Sequence, residues 1–409
     1  MLKIGLIGYG TVGRGVYERL EVSKASISAV LGEECHVEAI LIKNEQKHRL
    51  LEKECLVTVD WAEFQQAGPF DLIFEAIGGL EPALTYTLAY LEKGIPVITA
   101  NKKLVAEHGA KLEEVAESNQ TYYGYEAAVA GGIPIINVLK GLLPTTGISR
   151  VSGILNGTTN YMLTEMIENH RSFAEVLIEA QELGYAEADP TDDVGGFDAW
   201  YKIRILSRLC FGQWPNTELF HCQGLTALED WHAEVGERIG LKLKLIGEAH
   251  SINGHVHGSV APAFLTKTEA LASVSGVTNG VSLEGKDIKQ LLFIGPGAGK
   301  EATANSMVED FLFHRRYQGN RLSANVESIE EIPFRYSLVF IKQAERDTAL
   351  QWVKEQFIQV NETYSHPEGE AWLVPSVYEV NAQFPSYHVY GEITSSYAEE
   401  SSSAQLGTF

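Results

Sequence analysis

Cysteine is scarce, with four residues in 409, and Cys35, Cys55, Cys210 and Cys222 form no close pair and no spacing with histidine suited to zinc. A disulfide-stapled secreted domain and a zinc module are therefore poor readings; reduced, mostly buried thiols in a cytoplasmic protein are expected. Positive charge is also short. Thirty-two Lys and Arg face 54 Asp and Glu, for a formal charge of -22. Such a chain repels phosphate backbones and anionic lipid, so neither nucleic acid nor membrane is an expected partner. No apolar run approaches the roughly 20 residues of a membrane span. The opening MLKIGLIGYG carries one lysine and an apolar stretch broken by glycines, too short for the hydrophobic region of a signal peptide. Repeats at solenoid periods are missing as well.

What is present is ordinary globular material, 45% hydrophobic and 10% aromatic, in a chain long enough for two or three domains. The first third alternates short apolar runs (LKIGLIG, VEAILI, FDLIFEAIGG, PVITA, TYYGYEAA) with helical patterns, as βαβ units and a parallel sheet require. Helical periodicity then dominates TTNYMLTEMIEN, FAEVLIEAQELG and FDAWYKIRILSRLCFG. Strand-like pieces follow in KLKLIGEAH, HVHGSVAPAFL and IKQLLFIG, which predict a second α+β domain. From Pro333 the pattern changes again: FRYSLVFI, a helix over Asp347–Gln359, EAWLVP and SYHVYGEI read as a small appended α+β module. The Ser- and Glu-rich end, residues 395–409, has little to bury and is expected to be disordered.

Gly8-Tyr9-Gly10-Thr11-Val12-Gly13 lies between an apolar strand and a helix, the context that gives a GxGxxG its meaning. Its glycines permit a tight turn, close approach of a pyrophosphate and helix-to-strand packing, and the helix N-terminus favours the negative charge. The fold class expected is α/β, with an N-terminal Rossmann-type doubly wound sheet over 1–130. After the second strand, where a carboxylate would meet a ribose 2′-hydroxyl, stand Lys43, Lys47 and Arg49, placed for a 2′-phosphate, together with Glu45, which favours the hydroxyl. NADP is the favoured cofactor, with NAD as the alternative.

Two lysines are candidate proton donors for a carbonyl reduction. Lys102 follows PVITA at the end of a parallel strand, where open α/β sheets bind ligands. Lys202 lies on a helix one turn after Asp198, a spacing that on its own describes a surface ion pair. The loop after Gly184 gathers Glu187, Asp189, Asp192, Asp193 and Asp198, a field suited to an ammonium-bearing substrate. A calcium loop counted from Asp189 would need Gly at its sixth place and finds Val194. Asn156 to Asn160 form a polar turn suited to capping a helix.

Seven segments in order, GYGTVGRG, EAIGG, TANKKLVAEHG, EAAVAGGIPII, GILNGTTNYML, GYAEADPTDDVGGFDAWYK and GPGAGKEATANSMVED, resemble homoserine dehydrogenase over roughly residues 1 to 325. The resemblance implies NAD(P)H-dependent, reversible reduction of L-aspartate 4-semialdehyde to L-homoserine, on the path to threonine, methionine and isoleucine. It assigns catalysis to Lys202, Asp198 and Lys102, and substrate binding to Glu187, Asp193, Asn156, Gly157, Thr158 and Lys102. The cofactor would be held by Gly8, Gly10, Thr11, Val12, Gly13, Lys43, Gly78, Thr99, Asn101 and Lys102. A monovalent cation, typically sodium, would take mostly main-chain ligands from Glu126, Val129, Gly131 and Ile133, with Ala130 standing where the family usually has Gly. A helix over 300–322 would complete the nucleotide domain, 131–300 would form the substrate and dimerisation domain of a homodimer or higher homo-oligomer, and 330–394 would be a reduced ACT-like module. That module lacks the Asp-x-Pro-Gly turn of an amino-acid effector site, since FRYSLVFI is followed by KQAERDTAL. The alternatives are another amino-acid or semialdehyde dehydrogenase of the same two-domain plan and a non-catalytic nucleotide or amino-acid sensor.

Overall fold

Near-continuous apolar runs suit strands covered on both faces, and the N-terminal runs fold that way. A computed structural model of the chain describes residues 1–44, 55–142, 145–316, 325–329, 334–356, 358–376 and 384–393. Six strands, β1 (Leu2–Ile7), β2 (Cys35–Leu41), β3 (Leu56–Thr58), β4 (Leu72–Glu75), β5 (Val97–Thr99) and β6 (Tyr123–Gly124), form a sheet in the order β3-β2-β1-β4-β5-β6. Every pairing in it is parallel. This is the doubly wound order, and it reverses direction between β1 and β4, which is where such sheets bind ligands. The last run, TYYGYEAA, gives only two strand residues before a single 3-10 turn, Glu126–Ala128.

The helix Thr11–Val22 buries Gly13, Val16 and Leu20 on one stripe against this sheet. The helix Lys300–Arg316 packs beside it so closely that a Cβ on Gly15 would stand 2.8 Å from the Ala304 Cβ. Ile4, Leu6, Val16, Phe74, Met307 and Phe311 belong to one shared core.

Two compact units emerge. The first is Met1–Gly147 with Arg204–Trp214 and Gly295–Val326; the second is Ile148–Ile203 with Pro215–Ile294 and Glu327–Phe409. The described part of 131–147, expected in the substrate domain, falls in the first unit.

In the second unit the expected strands appear as Lys242–Ile252 and His255–Leu265, paired antiparallel along their length. Arg150–Ile154 and Thr278–Gly285 continue the sheet on one side. On the other side the expected separate module adds its own strands: Ser386–Tyr390 pairs parallel with His255–Leu265, followed outward by Phe334–Lys342, Gly369–Pro375 and Glu362–His366. The physical cause is apolar: Phe334 and Tyr390 are buried with Ile154, Ile246, Ala263 and Leu265. The C-terminal helix runs Arg346–Glu355, shorter than expected, and Ala349 and Trp352 anchor it against Val339, Trp372 and Phe384. Residues 395–409 lie outside the described residues, as do Glu45, Lys47 and Arg49. No helix among the described residues is long and apolar enough to cross a membrane.

Candidate active site

In the first unit the GxGxxG turn leaves β1 at Gly8, whose φ of 98° and whose neighbour, the Ala76 carbonyl 2.6 Å from where a Cβ would stand, both require glycine. A Cβ on Gly13 would stand 2.0 Å from the Gly8 carbonyl oxygen. Gly10 differs: nothing lies within 4 Å of its Cβ position, and it caps the helix Thr11–Val22 without any side chain on the amides. Thr11 is exposed and Val12 half-buried there. Open space in front of uncapped helix amides fits a pyrophosphate, so the residues present fit a dinucleotide. Lys43 is exposed just past β2.

The ends of β4 and β5 are tied together by a carboxylate that has no role in the sequence reading. Glu75, the last residue of β4, is fully buried. It accepts the Ile77 N–H at 2.7 Å and the Thr99 hydroxyl. Thr99 Oγ1 in turn accepts the Asn101 N–H at 2.9 Å. Asn101 caps the helix Lys102–Ser118 by accepting the Leu104 N–H, and its Nδ2 donates to the carbonyls of Ile77 at 3.1 Å and Gly79 at 2.7 Å. Thr99, Asn101, the exposed Gly78 and the half-buried Lys102 are thereby fixed as a group. Burial pushes the Glu75 carboxyl up to about 7, opposed by its two hydrogen bonds. A charged residue inside the apolar run FDLIFEAIGG was the available signal.

In the second unit the i, i+4 pair is not a surface pair. Lys202 and Asp198 are 7% and 3% exposed and joined at 2.7 Å, and Lys202 Nζ also donates to the Leu155 carbonyl at 2.7 Å. Asn156 links this pair to the acidic loop: its Nδ2 donates to Asp198 Oδ2 at 2.9 Å and to Asp193 Oδ1 at 2.7 Å. Its Oδ1 accepts the Thr159 N–H at 2.8 Å and so caps the helix Gly157–Glu168, the capping that the sequence suggests. Gly157 is required because a Cβ there would stand 2.6 Å from the Val277 carbonyl oxygen, and Thr158 Oγ1 donates to the Tyr185 carbonyl at 2.6 Å. Asn279, buried on Thr278–Gly285, donates to the same Leu155 carbonyl at 2.9 Å, a partner that no local pattern around Lys202 reveals.

The remaining loop carboxylates divide. Asp189 is exposed and turns inward on Thr191, whose N–H and hydroxyl hold its carboxyl below the usual range. Asp192 and Glu187 are exposed, and the Glu187 carbonyl accepts from Gln181 Nε2. Only Asp193 and Asp198 join the lysine network.

A family model for homoserine dehydrogenase matches residues 134–312, and one for the homoserine dehydrogenase NAD-binding domain matches residues 8–126. The chain belongs to the homoserine dehydrogenase family. Homoserine dehydrogenase from Lactococcus lactis is 38% identical over 76% of this chain and 73% of its own, and that from Bacillus subtilis 37% identical over 76% and 72%. Among solved structures, a homoserine dehydrogenase from Thiobacillus denitrificans superposes with a TM-score of 0.83 at 29% identity, covering 95% of this chain and 98% of that one. A hyperthermophilic archaeal homoserine dehydrogenase in complex with NADPH gives 0.67 at 25% identity, covering 79% and 99%. As a homoserine dehydrogenase the chain is an NAD(P)-dependent oxidoreductase acting on a CH–OH group.

Proposed function

We propose that this homoserine dehydrogenase reduces L-aspartate 4-semialdehyde to L-homoserine with Lys202 as the proton donor. The observation that carries this is the buried Lys202–Asp198–Asn156–Asp193 network. The turn of Gly8, Gly10 and Gly13 ahead of the helix Thr11–Val22 would hold NADPH, which would supply hydride to the aldehyde. Lys202 Nζ gives its proton to the carbonyl oxygen as negative charge develops there, and the resulting amine regains a proton from solvent. Asp198 fixes Nζ by its 2.7 Å ion pair. Asp193 and Glu187 supply negative charge for the substrate ammonium, Asn156, Gly157 and Thr158 form the turn that borders it, and Lys102 shares polarisation of the carbonyl.

Lys202→Ala should lower kcat by about 10²–10⁴-fold, the usual scale for losing a general acid, with NADPH affinity retained. Turnover within threefold of wild type would overturn the assignment. In the same assay NADH tests the NADP preference, which rests on Lys43, Lys47 and Arg49, and replacing sodium by a bulky organic cation tests the cation reading. For that cation the candidate ligands are the main-chain oxygens of Glu126, Val129, Gly131 and Ile133, all buried. Gly131 O accepts the Ser306 hydroxyl at 2.6 Å and Ile133 O the Ile135 N–H at 2.7 Å, each keeping a second lone pair.

The reading extends to a cytoplasmic homodimer or higher homo-oligomer, supported by family likeness, and to a C-terminal stretch that is ACT-like but has no, or altered, amino-acid feedback. The sequence KQAERDTAL at the turn after Phe334–Lys342 supports the last point. Titrating threonine should leave the rate unchanged at millimolar levels, and strong inhibition there would refute it.

A further inference from the structure

One buried and doubly hydrogen-bonded acid of the first unit is not among the groups that the reaction needs. Glu75 takes no part in proton transfer, yet it closes a ring of hydrogen bonds that runs from its own carboxylate to Ile77 N–H, from Thr99 Oγ1 to Asn101 N–H, and from Asn101 Nδ2 back to the Ile77 and Gly79 carbonyls. β4 and β5 end here, in a parallel sheet at the carboxyl edge where such sheets hold ligands. A carboxylate in this place costs desolvation that an apolar residue would not, and burial dominates its titration. Of the titratable groups facing it, Tyr123 on β6 feels its charge, which helps to raise the buried phenol. For sheet packing alone an apolar residue would serve without that cost. A loop that must present its backbone to a ligand in one fixed conformation gains from such a group.

We infer that Glu75 is a positioning residue for the nicotinamide cofactor, its carboxylate clamping residues 76–79 and, through Thr99 and Asn101, setting the start of the helix that carries Lys102. The inference rests on the dinucleotide reading of this unit and deepens it. The chemistry requires an anion. Ionised Glu75 accepts from both the amide of Ile77 and the hydroxyl of Thr99, while Thr99 Oγ1 accepts from Asn101. A neutral Gln, or protonated Glu75, presents a donor to Thr99 instead, so the Thr99 hydroxyl proton must find another partner and the ring opens.

The experiment measures NADPH dissociation constants by fluorescence, without substrate, for wild type, Glu75→Gln and Thr99→Val between pH 6 and 8.5, with thermal unfolding as the control for folding. Glu75→Gln should bind about tenfold more weakly at pH 8.5, the scale of one charge-assisted hydrogen bond. The gap to wild type should close towards parity at pH 6, where wild-type Glu75 carries its own proton. Thr99→Val should weaken binding in the same direction, and it decides the matter if Glu75→Gln does not fold. A Glu75→Gln constant within twofold of wild type at every pH, or, where that variant is unfolded, a Thr99→Val constant within twofold, overturns the inference. A wild type that binds neither NADPH nor NADH overturns the dinucleotide reading instead, so the two failures are distinct.

Discussion

Taking Lys202 and Asp198 out of water costs several kcal/mol per ion, and an apolar pair of the same volume is often at least as stable. Their burial is therefore an argument for chemistry rather than for stability, and it separates this pair from the surface pair that spacing alone describes. Ala130 makes the opposite kind of case. It is not glycine, yet it adopts φ 53°, next to Gly131 at 48°. The left-handed region costs a non-glycine residue about 1–2 kcal/mol, part of which glycine returns as chain entropy. Glycine also gives up a fully buried methyl, about 0.8 kcal/mol, so Ala130→Gly should leave stability within about 0.5 kcal/mol of wild type, read as a nearly unchanged denaturation midpoint; a loss of about 1.5 kcal/mol or more would contradict the strained backbone. The sequence marks Ala130 as a departure, but not that the backbone keeps the conformation in spite of it.

The strand–turn–helix element around Gly8 was legible because all its requirements are local: three glycines and a helix start lie within one short stretch. Two of them do different work, which the variants should separate. A Cβ on Gly13 meets a backbone oxygen at 2.0 Å, whereas one on Gly10 meets nothing. Gly13→Ala should cost folding stability as well as cofactor binding. Gly10→Ala should leave thermal unfolding within a degree or two while weakening NADPH by tenfold or more, because the methyl occupies space meant for ligand; this scale corresponds to about 1.4 kcal/mol. Equal NADPH affinity in Gly10→Ala and wild type would show that the open space is not the cofactor's. The Glu75 ring was less legible for the complementary reason. Its members come from the ends of β4 and β5 and the helix after them, and which acid meets which hydroxyl is decided by strand order, not by spacing.

Strand order also decides the fate of the C-terminal residues. Composition and pattern mark residues 330–394 as a separate module, and Phe334–Lys342, Gly369–Pro375 and Ser386–Tyr390 lie where the pattern puts strands, whereas Glu362–His366 is a strand that the pattern does not signal. What periodicity does not encode is that Ser386–Tyr390 adds to the edge of His255–Leu265, Ala263 opposite His388 and Leu265 opposite Tyr390. Side chains reinforce the seam within the second unit: the Arg150 guanidinium lies 5.2 Å from the Tyr390 ring centroid, and Arg150 itself bridges Glu248 at 2.9 Å and Glu284 at 2.7 Å. Tyr387 Oη lies 3.3 Å from both the Ala227 carbonyl and His232 Nδ1. Deleting residues 330–409 would therefore do more than remove an appendage. It would leave Ala263, Phe264 and Leu265 at the end of the His255–Leu265 strand as an open edge with unpaired backbone groups, strip Phe334 and Tyr390 from the core they share with Ile154 and Ile246, and uncover a buried cation. The expected result is a chain that aggregates on size-exclusion chromatography or unfolds several degrees below wild type. A truncated chain with unchanged size and unfolding temperature would mean that the seam contributes little, and that the C-terminal strands are held by the sheet rather than holding it.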